Sequence, residues 1–393
     1  MRRVDLLADG AYTLLQYYEM QGRFQESADA CQDALAAVEK VAQNPVSAQT
    51  RAFFLTMQGW NFIRLGRFDE AQQLFNESHA FWQQTATQPP PGFGTDPANG
   101  LALVAHLNGN YATAIALADD ACQRHSASAD WLNAQIGRHI LAGAHFALGN
   151  YAASRSHAQE GYGLSKAGGN RWMVSYMLNF LGEVSRVLGE YEEARQYYQQ
   201  CYFVRQEFGD PEGMAVSLNL LAKTAWLRGD YVEAERLYQR SLAIYQRIND
   251  RGGLASTILG LGETALMQQN FASAHFYLHD ALQKAAEMAW RPLSLTILVR
   301  VAQLLHHTGR TEQAVALLGL VSRHPGSNRE TADAAAEQLR SIERALPAER
   351  LGAARLHSEL LDLSGAMAAA LAALVVPLPP EHTAATQPTQ ASL

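Results

Sequence analysis

GEYEEA, residues 189–194, places an aromatic residue two positions after a glycine and a small residue three further on, and the pattern returns along the chain. It reads GRFQES from Gly22, GRFDEA from Gly66, GNYATA from Gly109, GNYAAS from Gly149 and GDYVEA from Gly229, with weaker copies QNFASA from Gln269 and GRTEQA from Gly309. The intervals are 44 and 43 residues, then 40 at each later step. An interval held constant through successive copies marks an array of one supersecondary unit.

A second marker keeps the same spacing. Asp130, Asn170, Asp210 and Asp250 stand 40 apart, and Pro211 follows Asp210. Asp and Asn accept from the free amides of a first helical turn, and proline suits the first helical position, so each marks a predicted helix start. The motif glycine then separates two helices. In the unit from Asn170 to Phe208, Leu178, Leu181, Val184 and Leu188 give the first helix an apolar face, and Tyr191, Ala194, Tyr198 and Cys201 give one to the second. Small residues recur where the helices must cross: Gly59, Ala102, Ala142, Gly182, Ala222, Gly262 and Ala302 in first helices, and Ala71, Ala114, Ser154, Ala194, Ala234, Ala274 and Ala314 in second helices. A single hairpin of this kind cannot bury both its faces, so the units must stack.

The pattern Leu181-Gly182, Ala194, Tyr198, Cys201, repeated as Leu221-Ala222, Ala234, Tyr238, Ser241, resembles that of the tetratricopeptide repeat family over about residues 5–323. The 40-residue period is longer than the family's usual 34 and matches its longer-helix variants. The resemblance implies an all-α, right-handed α-solenoid of about eight helix-turn-helix repeats. The expected organisation is two repeats over 1–84, a Pro/Gly-rich connector at 85–97, six repeats over 98–324, a helical C-terminal cap at 325–376 and a disordered tail at 377–393. The chain also resembles the C-terminal sensor part of bacterial multidomain signal-transduction ATPases. That implies an upstream nucleotide-binding domain as a partner, an expectation joined by the lack of any visible N-terminal cap before the first unit.

Composition narrows the function. The chain has 393 residues, 48% hydrophobic and 18% charged, with a formal net charge of −7, and its Lys and Arg are scattered singly along the sequence. No stripe is evident to neutralise phosphates, so direct nucleic-acid binding is not expected. No apolar run is long enough to cross a bilayer, and the start, MRRVDLLADG, has no signal-peptide core, which points to a cytoplasmic protein with no membrane partner. Cys31, Cys122 and Cys201 are far apart and read as small buried residues in a reducing compartment.

Local motifs for chemistry have structural explanations. Gly260-Leu261-Gly262-Glu263-Thr264-Ala265 spells a dinucleotide fingerprint but lies within a predicted helix, where that fingerprint has no strand to follow. His275 and His279 share a helical face without a third ligand. Arg228-Gly229-Asp230 spells an adhesion tripeptide, but Gly229 is the repeat's turn. No catalytic constellation, cofactor or metal is read, and the expected role is a non-enzymatic interaction scaffold or sensor. A dispersed small-molecule, cofactor or enzymatic site in the groove is the competing reading.

In the family, first helices line a concave groove that takes a protein or peptide ligand. Carried over by register, that implies Tyr176, Asn179, Glu183, Arg186, Asn219, Lys223, Trp226 and Glu263 as partner-binding residues. Amides to pair with a peptide backbone, charges to fix register and an indole anchor suit that task.

Overall fold

The computed structural model describes residues 4–40, 44–85, 87–90, 92, 94–344 and 347–375. Among these the regular structure is entirely helical. Eight hairpins follow one another: α1 (Val4–Met20) with α2 (Phe24–Glu39), α3 (Pro45–Arg64) with α4 (Phe68–Thr85), α5 (Pro97–Leu107) with α6 (Tyr111–Ala127), α7 (Trp131–Ala147) with α8 (Tyr151–Ala167), α9 (Arg171–Val187) with α10 (Tyr191–Phe208), α11 (Pro211–Leu227) with α12 (Tyr231–Ile248), α13 (Arg251–Met267) with α14 (Phe271–Glu287), and α15 (Arg291–His307) with α16 (Thr311–Arg323). Three further helices, α17 (Arg329–Glu343), α18 (Ala348–Leu360) and α19 (Leu363–Val375), pack on the last hairpins. The architecture is an all-α solenoid in which each helix from α1 to α17 packs on the next, with α18 and α19 folded back on α14–α16.

Helix starts are set where the periodic Asp and Asn residues stand. The side chains of Asp130, Asn170, Asp210 and Asp250 accept from the amides of Asn133, Met173, Gly213 and Gly253 at 2.9–3.3 Å. Just before each cap the chain passes through a left-handed residue, at Ala129, Gly169, Gly209, Asn249 and Ala289, midway between the left-handed turn residues at 109, 149, 189, 229, 269 and 309. The chain therefore reverses every 20 residues by the same backbone device.

The predicted crossings are the tight points of the hairpins. Ala102, Ala142, Ala222 and Ala302, and opposite them Ala71, Ala114, Ala194, Ala234, Ala274 and Ala314, have no exposed surface. A Cβ at Gly59 would stand 2.7 Å from the Phe75 ring, and at Gly182 it would overlap Tyr198. One predicted core residue departs from its place: Leu188 is 53% exposed. It caps α9 rather than continuing it, so its side chain turns out at the helix end.

The connector is tied to the hairpins at its C-terminal end. Trp60 Nε1 donates to the Gly94 carbonyl at 2.7 Å. Asp96 is buried; it caps α5 through the Ala98 amide and meets His125 Nε2 at 2.7 Å. The tail predicted at 377–393 lies outside the described residues.

The solenoid coils tightly enough for its successive superhelical turns to touch. Gly22 lies against Ile248 and Pro211, Gly66 against Met288, Gly109 against the backbone of Gly326, and Gly149 against Arg329. Phe68 meets Trp290 edge to face at 6.1 Å. Phe24, Phe62, Ile63 and Phe68 thereby join one continuous core with Ile258, Leu282 and Met288. Arg64 completes this seam, with Glu19 at 2.8 Å, Glu212 at 3.6 Å and the Tyr176 hydroxyl at 3.4 Å.

Candidate functional site on the inner wall

First helices line the interior, because their apolar faces are shared between the hairpin partner and the neighbouring unit while the remaining face looks inward. This wall has two chemically distinct parts. Over α1, α3, α5, α7 and α9 it forms a pocket of about 200 Å³ lined largely by apolar side chains, Leu15, Met57, Ile63, Leu107, Ile136 and Met173 among them. Tyr176 belongs here, packed edge-on against His139 at 5.0 Å. Burial pushes the His139 imidazole down to about 3, assisted by the nearby cations Arg205 and Arg64, so the ring is neutral. Its Nδ1 is buried without a hydrogen-bond partner.

Over α9, α11, α13 and α15 the wall is charged. Glu183, Arg186, Asn219, Lys223, Trp226 and Glu263 come together here with Arg300 and, from α17, Glu330. Glu263 holds Lys223 at 2.9 Å and Arg300 at 2.7 Å. Burial alone would raise its carboxyl; the two cations outweigh that and hold it down at about 2. Arg186 binds Glu183 at 2.9 Å within α9 and Glu330 at 3.0 Å across the interior. Lys223 lies 4.6 Å from the Trp226 ring centroid, and Asn219 donates to Thr257 at 2.8 Å. Asn179 sits on α9 between Tyr176 and Glu183, and its Oδ1 is buried and unpaired, as is Trp226 Nε1.

The eight residues inferred from register thus divide: six share the charged chamber, Tyr176 belongs to the apolar one, and Asn179 lies between them on α9. Their charged members are mutually paired rather than solvated. Arg300 and Glu330 escaped the register. A lone Arg within the apolar run LSLTILVRVAQLL was a legible signal for Arg300. Glu330 carries no local sign of a contact 144 residues away.

Tetratricopeptide-repeat models match residues 173–247, 213–287 and 302–319. No curated protein matches the chain. Among solved structures it is similar to a Rap protein complexed with Competence and Sporulation Factor, at 13% identity and a TM-score of 0.60, over 89% of this chain and 100% of that one. It is also similar to the Rap conjugation gene regulator of the plasmid pLS20 in complex with the Phr* peptide, at 13% identity and a TM-score of 0.59, over 88% and 98%. A third likeness is to the signal-transduction ATPase with a tetratricopeptide repeat sensor from Pyrococcus horikoshii, at 11% identity and a TM-score of 0.50, over 89% of this chain and 55% of that one. The fold class is therefore a helical-hairpin solenoid. Tetratricopeptide repeats are thus matched over residues 173–287 and 302–319, and the same hairpin continues on either side of them.

Proposed function

We propose that this protein is a non-catalytic regulatory scaffold that takes a peptide or protein segment against its inner wall. One observation carries the reading. His139 Nδ1, Asn179 Oδ1 and Trp226 Nε1 are buried, unpartnered polar atoms on successive first helices of that wall. Buried polar atoms are nearly always paired, and an extended polypeptide presents the alternating amides and carbonyls that would pair them. The apolar chamber beside them receives an uncharged side chain, and the charged chamber fixes register. Two fold relatives were solved in complex with Competence and Sporulation Factor and with the Phr* peptide, which supports a ligand of that kind in this architecture. The absence of a membrane-crossing helix among the described residues fits a cytoplasmic setting. The Pyrococcus horikoshii protein offers a precedent for such an array as the sensor of a larger regulator.

Peptide-library selection on the wild type and on the triple variant Asn179→Ala, Lys223→Ala, Trp226→Ala tests this. Families of peptides enriched by the wild type and lost in the variant are expected; identical enrichment by both proteins would sink the reading. The apolar pocket favours a second reading, a small apolar ligand. A thermal-shift screen of metabolites and nucleotides addresses it, since saturating ligand raises stability by linkage.

A further inference from the structure

The outer face carries a cleft that the interior reading does not use. It opens between the second helices α10 and α12, over the outward side of α11, with a volume of about 480 Å³. Leu218, Leu221, Ala225 and Leu237 form an apolar floor, and Tyr202 and Phe203 stand on one side. Four arginines converge on it: Arg195, Arg228, Arg236 and Arg240. Scattered in the sequence, they are gathered because three elements of adjacent repeats meet here.

Their pairing is uneven. Arg195 is held by Glu192, and Arg236 by Glu233 at 2.6 Å, each three residues away on its own helix. Arg228 reaches Glu192 only at 3.7 Å. Arg240 has, among the described residues, no carboxylate within ion-pairing distance; it donates to the Tyr202 hydroxyl at 3.3 Å. The cleft therefore presents two weakly engaged guanidinium groups on a molecule of formal net charge −7.

The repeat supplies an internal control. One unit earlier the same four positions hold Arg155, Leu188, Gln196 and Gln200, and one unit later Glu235, Gln268, Phe276 and Asp280. Neighbouring hairpins stack without arginine at the positions of Arg228, Arg236 and Arg240, so packing does not require those three. The pattern belongs to this cleft.

We infer that the cleft binds an acidic peptide segment, with its carboxylates on Arg228 and Arg240 and an apolar side chain on the Leu218–Leu237 floor. Guanidinium groups pair with carboxylates through two parallel hydrogen bonds and retain that preference at a partly exposed site. A nucleic-acid strand fits less well. The apolar floor of Leu218, Leu221, Ala225 and Leu237 takes an apolar side chain but gives a phosphate backbone nothing to pair with. Asn219, Lys223 and Trp226 lie on the inward side of α11, so the inner and outer surfaces are separate and either can fail alone.

Fluorescence anisotropy with the full chain and a labelled peptide of alternating Glu and Leu tests this. Binding should weaken with added salt. It should fall by roughly tenfold or more in the double variant Arg228→Glu, Arg240→Glu, while Arg155→Glu, one unit earlier at the position equivalent to Arg195, leaves it unchanged. Undiminished affinity in the double variant, or an equal loss in Arg155→Glu, overturns the assignment. So does tighter binding of labelled oligo-dT, or displacement of the peptide by an equal concentration of inorganic phosphate, which would leave a simple anion site.

Discussion

The hairpin turns of the first four units and those of the later units share one motif and one backbone conformation, yet they occupy different surroundings. At Gly22, Gly66, Gly109 and Gly149 an added Cβ would meet atoms of a distant unit. At Gly189, Gly229 and Gly309 it would meet nothing within 4 Å. Local geometry accounts for the glycine in both groups, because the turn is left-handed in each. Only the first group is pressed into the seam between superhelical turns. The motif thus specifies the unit, while a separate set of residues at the seam specifies how tightly the units coil.

Arg64 is the place to break that seam. It is half-buried between Glu19 and Glu212, with its ring neighbours Phe24 and Tyr176 close by. Arg64→Ala would remove the cation that joins Glu19 to Glu212 and the packing of its stem beside Phe24, a change that costs about 2 to 3 kcal/mol. The open turns of units five to eight are untouched by it. Hydrogen exchange should therefore accelerate in α1–α4 and at the Glu212 end of α11 while α15 and α16 keep their protection, and the urea midpoint should fall. A uniform acceleration through the whole array would mean that the seam is not a separate unit of stability.

Proton uptake at the same place gives a smaller effect of known sign. Burial raises the Glu212 carboxyl to about 7, against the pull of Arg64 and Arg205 and with the push of Asp210 and Asp250. An unfolded Glu titrates near about 4.3. The folded state therefore holds the extra proton between these values, and stability falls as pH rises through that window. The loss attributable to this group is about 2 kcal/mol between pH near 5 and near 8. Glu212→Gln should remove it, so the difference in stability between wild type and variant changes with pH. A pH-independent difference would show that Glu212 stays ionised in the seam.

Much of this was legible and some was not, for physical reasons. Repeat length, caps and crossings depend on neighbours within a unit, and those recur, so Asp210, Ala234 and Gly182 could be read directly. Left-handed residues before the caps were harder to see, since Ala129 and Ala289 adopt that conformation without being glycine. Gln269 does the same at the seventh turn. The superhelical coil depends on contacts about five units apart, such as Gly109 with Gly326, which no local period announces. For the same reason the inner-wall residues were found by register, whereas their mutual pairing, and the reach of Glu330 across the interior, were not. The arginine cleft illustrates the converse. Its members looked dispersed along the chain and became a cluster once adjacent repeats stacked.

The smallest expected effect isolates the comparison most cleanly. Gly109→Ala and Gly229→Ala replace residues with nearly the same φ, 80° and 81°. Each therefore carries the cost of a left-handed alanine, about 1 kcal/mol, offset in both by the same gain in unfolded-state entropy. The Gly229 variant has no further term, because its Cβ enters open space. In the Gly109 variant the Cβ would lie 2.8 Å from the Gly326 Cα and 3.0 Å from its carbonyl oxygen. Backbone cannot yield as a flexible side-chain end can, so the seam must open slightly, an overpacking cost of about 1 to 2 kcal/mol. The difference between the two variants in urea unfolding measures the seam term alone, the strain having cancelled. Equal destabilisation by both substitutions would mean that the turns of the first units touch their neighbours without bearing on the coil.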